Sequence, residues 1–259
     1  DMNSYEDFAQ ISNTIWASLY FAFSDVQVPG YDRLIYKDTV WRKKDSPIVI
    51  DQNTYILPGV TVRIRPGTTI QLGREVLVTC RGIIDARGTA KEPVTFTWKT
   101  KDAPWDAIEC INCIQKGEAG PGEVVFEHCI IEHGGGVIVN SSNARVRYCV
   151  FQDNIATSLK LEYAGGVIAH NTVRNNSNRL QEETGNGGGI NIYSNKTVRV
   201  EANQVYDNVS HGGRDGGGGI YAFAYSGGKV QVVNNTVRNN ESDRKAGGIF
   251  AYATEVTGN

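Results

Sequence analysis

A six-residue phrase recurs in the second half of the chain. NTVRNN stands at 171–176 and again at 235–240, and the related NQVYDN stands at 203–208. EHCIIEH around Cys129 and RYCVFQDN around Cys149 align with these phrases, at intervals of roughly twenty residues first and roughly thirty later. Self-similarity with such a period is typical of solenoids, propellers and other repeat architectures. The repeat therefore limits the possible folds more than any other feature of the sequence.

Each repeat unit contains short strands and two kinds of corner. An alternating strand such as VRV or VQVV precedes the Asn-rich phrase, and glycines with a further strand follow it in GGGINIY, GGGGIYAF and AGGIFAY. No unit has an apolar stripe of helical period, which excludes helical repeats. A propeller blade needs about four strands in about forty residues, more than these units offer. The sequence predicts an all-β, right-handed parallel β-helix whose coils stack like upon like.

The equivalent position in each phrase predicts a ladder inside one corner of the coil. Asn171, Asn203 and Asn235 occupy it in the last three phrases, and Cys129 and Cys149 occupy it in the first two. Stacked Asn side chains can donate to and accept from the next coil, which satisfies backbone groups of the turn. Stacked cysteines could form a disulfide, but a free cysteine is also a good small core residue, and we favour that interpretation.

The other cysteines give only a weak metal signal. Cys110 and Cys113 form one C-x-x-C pair, without a second pair or a pair of histidines. Structural zinc sites are almost always four-coordinate, so we predict no metal site. The chain has five cysteines without a repeated spacing, and the sequence leaves their pairing open.

The beginning of the chain differs from everything after it. Ser4 and Asp7 precede an apolar run and are typical of a helix start. Apolar residues then recur at helical spacing, at Phe8, Ile11, Ile15, Leu19 and Phe23. We expect residues 1–36 to be a capping segment whose amphipathic helix covers the open apolar end of the coil. Residues 37–259 would form the β-helix, which we expect to continue beyond 259 or to associate end to end with another molecule.

Charge, hydropathy and glycosylation signals narrow the possible partners. The formal net charge of −2 provides no basic field for nucleic acid, and no apolar run reaches the roughly eighteen residues of a membrane span. We therefore expect no nucleic acid partner and no direct membrane insertion of this segment. Asn-X-Ser/Thr sequons predict a secreted glycoprotein or the ectodomain of a larger surface protein. The candidate sites are Asn140, Asn175, Asn195, Asn208, Asn234 and Asn240.

Four phrases between residues 57 and 110 follow one another in a distinctive order. They are LPGVTVRIRPGTTIQL, GIIDARGT, PVTFTW and WDAIEC. This order resembles the opening coils of extracellular, pectate-lyase-like β-helix repeat proteins. The matching residues are Pro58, Gly59, Val60, Thr61, Pro66, Gly67, Gly82, Ala86, Gly88, Thr89, Pro93, Phe96, Trp105 and Ile108.

The resemblance implies a β-helix fold from about residue 37 onward. It implies no particular activity, because that family contains both enzymes and non-catalytic adhesion proteins. More loosely, the style of the repeats and the sequons are similar to the β-helix segments of the Bark beetle (Anakonda) tricellular-junction family.

Catalysis on this fold would need acidic residues on the outer face of one sheet. A polysaccharide lyase needs carboxylates that hold Ca²⁺ and a Lys or Arg base, and an inverting hydrolase needs two carboxyl groups. The best local candidates are Asp207, Arg214 and Asp215, near His211 in YDNVSHGGRDGGGG. These residues fall in corners, and no strand carries several aspartates. Enzyme activity with Ca²⁺ is therefore the alternative hypothesis, and the sequence predicts no other cofactor.

A column of Asp and Asn side chains precedes the end of each repeated phrase. Asp153, Asn175, Asp207 and Asn239 share one position of the alignment and could line an ion. Asp and Asn at turns more often hydrogen-bond to their own backbone, so we interpret the column as part of the turn.

The strands after the Gly-rich corners carry two aromatic columns. If Ile190, Ile220 and Ile249 point into the coil, alternation directs Asn191 and the aromatic residues outward. The predicted ligand or partner face consists of Tyr193, Tyr221, Phe223, Phe250 and Tyr252. Aromatic faces stack on sugar rings and also anchor protein interfaces, although such a ladder can simply stabilise its own sheet.

These features favour a non-catalytic extracellular scaffold that acts as an adhesion or interaction module for a protein or glycan. A polysaccharide lyase or glycoside hydrolase is the first alternative, and a carbohydrate-binding module without turnover is the second. All three hypotheses use the same outward faces of the coil, so the discriminating feature is the arrangement of acidic and aromatic side chains.

Overall fold

The computed structural model describes residues 28–118, 120–178, 187–211 and 216–259, and within them the regular secondary structure is almost entirely β-strand. One 3-10 helix, Lys43–Asp45, is the only helix in these ranges. None of the helical segments described could cross a membrane. The predicted amphipathic helix falls in residues 1–27, outside the described ranges.

The strands form three long sheets and one short one. The first sheet contains β1 (Arg33–Ile35), β4 (Thr54–Ile56), β7 (Leu77–Cys80), β10 (Ala107–Ile111), β13 (Val137–Asn140), β16 (Leu159–Glu162), β19 (Ile190–Ser194), β23 (Ile220–Ala224) and β27 (Ile249–Tyr252). The second contains β2 (Thr39–Trp41), β5 (Thr61–Ile64), β8 (Ile83–Arg87), β11 (Glu123–Glu127), β14 (Asn143–Arg147), β17 (Gly165–Ala169), β20 (Thr197–Glu201), β24 (Lys229–Val233) and β28 (Glu255–Thr257). The third contains β3 (Ile48–Ile50), β6 (Thr69–Leu72), β9 (Val94–Trp98), β12 (Cys129–Glu132), β15 (Val150–Gln152), β18 (Thr172–Arg174), β21 (Gln204–Tyr206) and β25 (Thr236–Arg238). The short sheet pairs β22 (Val209–Ser210) with β26 (Glu241–Ser242).

The order of the strands in each sheet defines the architecture. Neighbours in the long sheets pair in parallel and belong to successive coils, so each coil contributes one strand to each sheet. This is a parallel β-helix with three sheets, as the repeats predict. β1 lies inside the segment 1–36 that the sequence assigns to the cap and already pairs with β4, so the coil starts before residue 37.

Side chains that alternate inward fill the interior of the coil. In the first sheet one inward column stacks coil upon coil, and its members are at most 7 % exposed. This column consists of Ile35, Ile56, Cys80, Cys110, Val139, Leu161, Ile192 and Ala222. Successive side chains of a strand point to opposite faces of the sheet. The apolar residues at every second position of the sequence therefore all point inward and form a continuous core. Burying each large aliphatic side chain contributes about 1.5–3 kcal/mol.

The corner between the second and third sheets contains the first Asn ladder. The structure stacks Asn171, Asn203 and Asn235 in one column and adds Asn259, with side-chain Nδ2 to Oδ1 distances of 2.8–2.9 Å. Cys149 continues the column, because its backbone N–H donates to Asn171 Oδ1 at 2.8 Å. Each rung also ties down a backbone carbonyl, which the tight turn would otherwise leave unpaired.

A second Asn ladder lies at the end of the third sheet. It consists of Asn154, Asn176, Asn208 and Asn240, joined by Nδ2 to Oδ1 bonds of 2.8–2.9 Å. The residue before each rung is Asp153, Asn175, Asp207 or Asn239, and all four have φ between 52° and 56°. Asp and Asn tolerate this left-handed conformation better than most residues. The polar column seen in sequence thus forms the bend that aligns the second ladder, a role the alignment alone did not reveal.

Candidate functional site

The outer face of the first sheet carries the aromatic columns near the C-terminal coils. β19, β23 and β27 pair so that Tyr193, Phe223 and Tyr252 are in register, as are Asn191, Tyr221 and Phe250. Ile190 and Ile220 are fully buried on the opposite face, so these rings point away from the core.

The rings of neighbouring coils stack on one another. The centroid distance is 5.3 Å between Tyr193 and Phe223 and 4.5 Å between Phe223 and Tyr252. In the adjacent column, Tyr221 and Phe250 are 5.1 Å apart with planes that differ by only 4°. Parallel strands impose this spacing, because equivalent residues of neighbouring strands lie about 4.8 Å apart.

Two further tyrosines join the cluster from the ends of strands. Tyr163 follows β16 and contacts Tyr193 edge to face at 5.8 Å. Tyr225 follows β23 and stacks on Tyr193 at 4.7 Å. Neither is at a strand position in an alternating pattern, so no sequence pattern points to them. We call the six outward residues Tyr163, Tyr193, Phe223, Tyr225, Phe250 and Tyr252 the aromatic face.

The position of Tyr221 corrects the predicted partner face. Its side chain is only 3 % exposed, whereas Tyr252 is 57 % exposed and Tyr163 is 43 % exposed. The Gly-rich corners pass over it: a Cβ at Gly217 would lie 3.1 Å from Tyr221 Cβ, and one at Gly187 would lie 3.3 Å away. Tyr221 therefore supports the aromatic face and does not contribute accessible surface to it.

Acidic side chains adjoin the aromatic face on the same sheet. Glu162 of β16 is in register with Tyr193, and its Oε1 lies 2.7 Å from Lys160 Nζ. Two coils earlier in the same sheet, Asp106 stands immediately before β10 and Glu109 lies on it. We call Asp106, Glu109 and Glu162 the acidic patch. The outward position of Glu109 can be predicted from the phrase WDAIEC, because Glu109 alternates with the buried residues Ile108 and Cys110.

Burial changes the protonation of two carboxyl groups in this patch. Partial burial raises the pKa of Asp106, and the negative charge of Glu75 adds to the effect. Burial also raises the pKa of Glu109, with a further contribution from Asp106 that Lys160 partly offsets. Desolvation and like charges both favour the neutral acid, so these groups hold their protons at higher pH than exposed carboxyl groups do.

Of the catalytic candidates considered from the sequence, the structure describes Asp207 and His211. Asp207 is exposed at the bend after β21, on the third sheet. Arg214 and Asp215 lie outside the described residues. His211 is described, and its backbone N–H donates to Asn178 Oδ1 at 2.5 Å. The acidic patch, in contrast, places described carboxyl groups close together on the first sheet, where Asp106 raises the pKa of Glu109.

Two of the six sequons cannot carry a glycan in this fold. Asn208 is fully buried, and its Nδ2 donates to Val173 O and to Asn240 Oδ1. The Nδ2 of Asn240 likewise donates to Val205 O at 2.9 Å. Because glycosylation needs that nitrogen, both residues serve the second Asn ladder instead. Asn175 and Asn234 are exposed, while Asn140 and Asn195 are half-buried.

The comparisons with known proteins agree with the geometry. Residues 116–259, more than half of the chain, match the family described as right-handed beta helix region, so the chain belongs to that family and its coil is right-handed. No curated protein matches the chain, and no solved structure matches it. Nothing in these comparisons supports a relationship to the Bark beetle (Anakonda) family.

Proposed function

We propose that this chain is a non-catalytic extracellular scaffold that binds a glycan or a protein surface through the aromatic face. One observation carries the proposal: five aromatic rings from four successive coils form one continuous outward cluster, in which Tyr163 is 43 % and Tyr252 is 57 % exposed. Phe250 adjoins this cluster through the buried ring of Tyr221. Tyrosine rings offer both a flat apolar surface and a hydroxyl group, a combination enriched in binding sites. The rigid coil fixes their spacing before a partner arrives, which lowers the entropic cost of binding.

Charge narrows the class of partner. Glu162 adjoins Tyr193, and the acidic patch extends along the same face. An anionic polyuronate would be repelled there, whereas a neutral glycan or a basic protein surface would not. An adhesion role of the kind implied by the resemblance to tricellular-junction proteins is one form of this proposal, and a carbohydrate-binding module is another.

Removing the exposed rings should weaken binding without unfolding the coil. We expect Tyr163→Ala and Tyr252→Ala each to reduce affinity about tenfold, because an anchoring aromatic residue typically contributes about 1–2 kcal/mol to binding. Affinity would be measured against immobilised neutral glycans, a polyuronate and a basic peptide library. Tyr148→Ala is the matched control, since Tyr148 is 50 % exposed but stacks between His128 and His170 on another corner. Equal losses in all three variants, or none in any, would reject the aromatic face as the site.

The raised pKa values of Asp106 and Glu109 favour one alternative, a glycoside hydrolase. A carboxyl group that retains its proton can act as general acid beside a second carboxyl group. If so, Glu109→Gln should reduce release of reducing ends from neutral polysaccharides at least about 100-fold, and wild-type activity should fall as pH rises through the pKa of Glu109. Glu123→Gln on the second sheet is the control, because its carboxylate pairs with Arg145 away from this face. Absence of turnover across the polysaccharide panel would leave the binding proposal.

A further inference from the structure

Three cysteine side chains converge inside the coil. Cys80 and Cys110 are register partners on β7 and β10 and point inward, and Cys113 stands at the corner after β10. Their sulfur atoms all lie within 4.8 Å of one another, and none of the three residues is more than 1 % exposed. No other group of three or more His, Cys, Asp or Glu ligand atoms is so close in the ranges that the structure describes. We call these residues the thiol cluster.

The backbone of the corner fixes the third thiol in place. The N–H of Cys113 donates to Ser142 Oγ at 2.8 Å, and its carbonyl accepts from the N–H of Gly122 at 2.8 Å. Cys113 Sγ in turn lies 3.4 Å from Cys80 O. The strand pairing positions the other two sulfur atoms. The cluster is therefore held by the fold itself, the kind of outer support that orients metal ligands in proteins.

The composition of the cluster selects for a soft ion. All three ligands are sulfur, and soft thiolates select Cu(I), zinc and iron–sulfur clusters. Structural zinc is almost always four-coordinate, and the cluster has no fourth side-chain ligand among the residues described. Cu(I) is a d10 ion that is satisfied by trigonal thiolate coordination. We propose that Cys80, Cys110 and Cys113 form a buried trigonal site for one Cu(I) ion.

The charge and proton balance of this binding step are simple. Three S–H bonds break, three Cu–S bonds form, three protons pass to solvent, and copper stays in its reduced state throughout. The product carries two negative charges, and a buried charge needs compensation. Arg81 follows Cys80 in the chain and is close enough to Cys113 for a coulombic attraction. Asn112 and Lys116, on either side of Cys113 in this corner, are exposed, so the cluster lies close to the surface of the coil.

Anaerobic titration of the reduced full chain with Cu(I) in the presence of a chromophoric Cu(I) chelator tests the proposal. We expect one Cu(I) per chain, with the ultraviolet charge-transfer absorption and long-lived luminescence of a shielded Cu(I)-thiolate centre. Cys113→Ser should weaken binding by well over tenfold, since even loss of an outer partner costs about 10–100-fold. Cys80→Ala and Cys110→Ala should do the same, with circular dichroism used to select the variants that fold.

Cys129→Ser and Cys149→Ser provide matched controls. Both residues are at most 1 % exposed and stacked on each other, with Cys149 Sγ accepting from Cys129 N–H at 3.4 Å. Copper binding in these variants should equal that of the wild type. Equal losses in control and cluster variants would overturn the proposal, as would tighter binding of Zn²⁺ than of Cu(I). A disulfide between any two cluster cysteines in the isolated protein, found by alkylation and mass spectrometry without reduction, would overturn it as well.

Discussion

Asn203→Ala should lower the free energy of unfolding by about 3–5 kcal/mol, one of the two largest effects expected for a single substitution here. Asn203 is 1 % exposed. Its Nδ2 donates to Ile168 O at 3.0 Å and to Asn235 Oδ1 at 2.8 Å, and its Oδ1 accepts from the backbone and side chain of Asn171. Truncation leaves these groups buried and unpaired, and each such group costs about 1–3 kcal/mol. Urea denaturation followed by circular dichroism would measure the loss.

Gln204→Ala is the control for the ladder. Gln204 is the next residue, but its side chain is exposed on the outer face of β21, so its truncation should change stability by no more than about 0.5 kcal/mol. If Asn203→Ala lowered the free energy of unfolding no more than Gln204→Ala does, the Asn ladder would be a consequence of the stacking of coils and not a source of stability.

Trp105→Ala should destabilise the coil by about 3–5 kcal/mol, the range for removal of a large buried aromatic side chain. Trp105 is fully buried, and its Nε1 donates to Glu132 O at 3.0 Å. The next coil pairs with it at Gly134, where a Cβ would collide with the indole ring. The substitution therefore removes packing and leaves a carbonyl without its donor. Thermal and urea unfolding would both register the effect.

Trp98→Ala is the matched substitution for this prediction. Trp98 is half-buried and stacks on His133 at 3.9 Å without filling the interior. We expect its loss to cost less than half as much as that of Trp105. Trp105→Phe should fall between them, because it keeps an aromatic ring but loses the donor to Glu132. If Trp98→Ala lowered the free energy of unfolding more than Trp105→Ala, the prediction that burial of Trp105 in the core stabilises the coil would be wrong.

Much of the fold could be predicted because its signals are local. Alternation of apolar and polar residues states which side of a strand faces inward, as at Ile190 and Ile220. The repeated phrases state that successive coils are equivalent, and this was enough to predict the column of Asn171, Asn203 and Asn235. The second Asn ladder was missed although NN and DN recur in the same phrases, because each pair was interpreted only as a turn.

The candidate sites depended on contacts between distant residues. Cys80 is separated from Cys110 by a whole coil, so only the register of β7 with β10 brings their sulfur atoms together. The burial of Tyr221 likewise follows from how the Gly-rich corners pass over the sheet, which alternation cannot show. The register of β16 with β19 aligns Glu162 with Tyr193 and so brings the acidic patch next to the aromatic face.

The sequence by itself determined the parallel β-helix, the inward and outward directions of its strand residues, and the existence of a corner ladder. Each of these features follows from a periodic pattern in the sequence, either the alternation within a strand or the repeated phrase. Such a pattern can be recognised without knowing the lengths of the loops. Only the tertiary structure decided which outward rings are accessible, which sequon asparagines have their side-chain nitrogen in a hydrogen bond, and which cysteine sulfur atoms lie close together. Those properties depend on the register between coils and on the corners that cover a face, and both are set by packing over the whole stack.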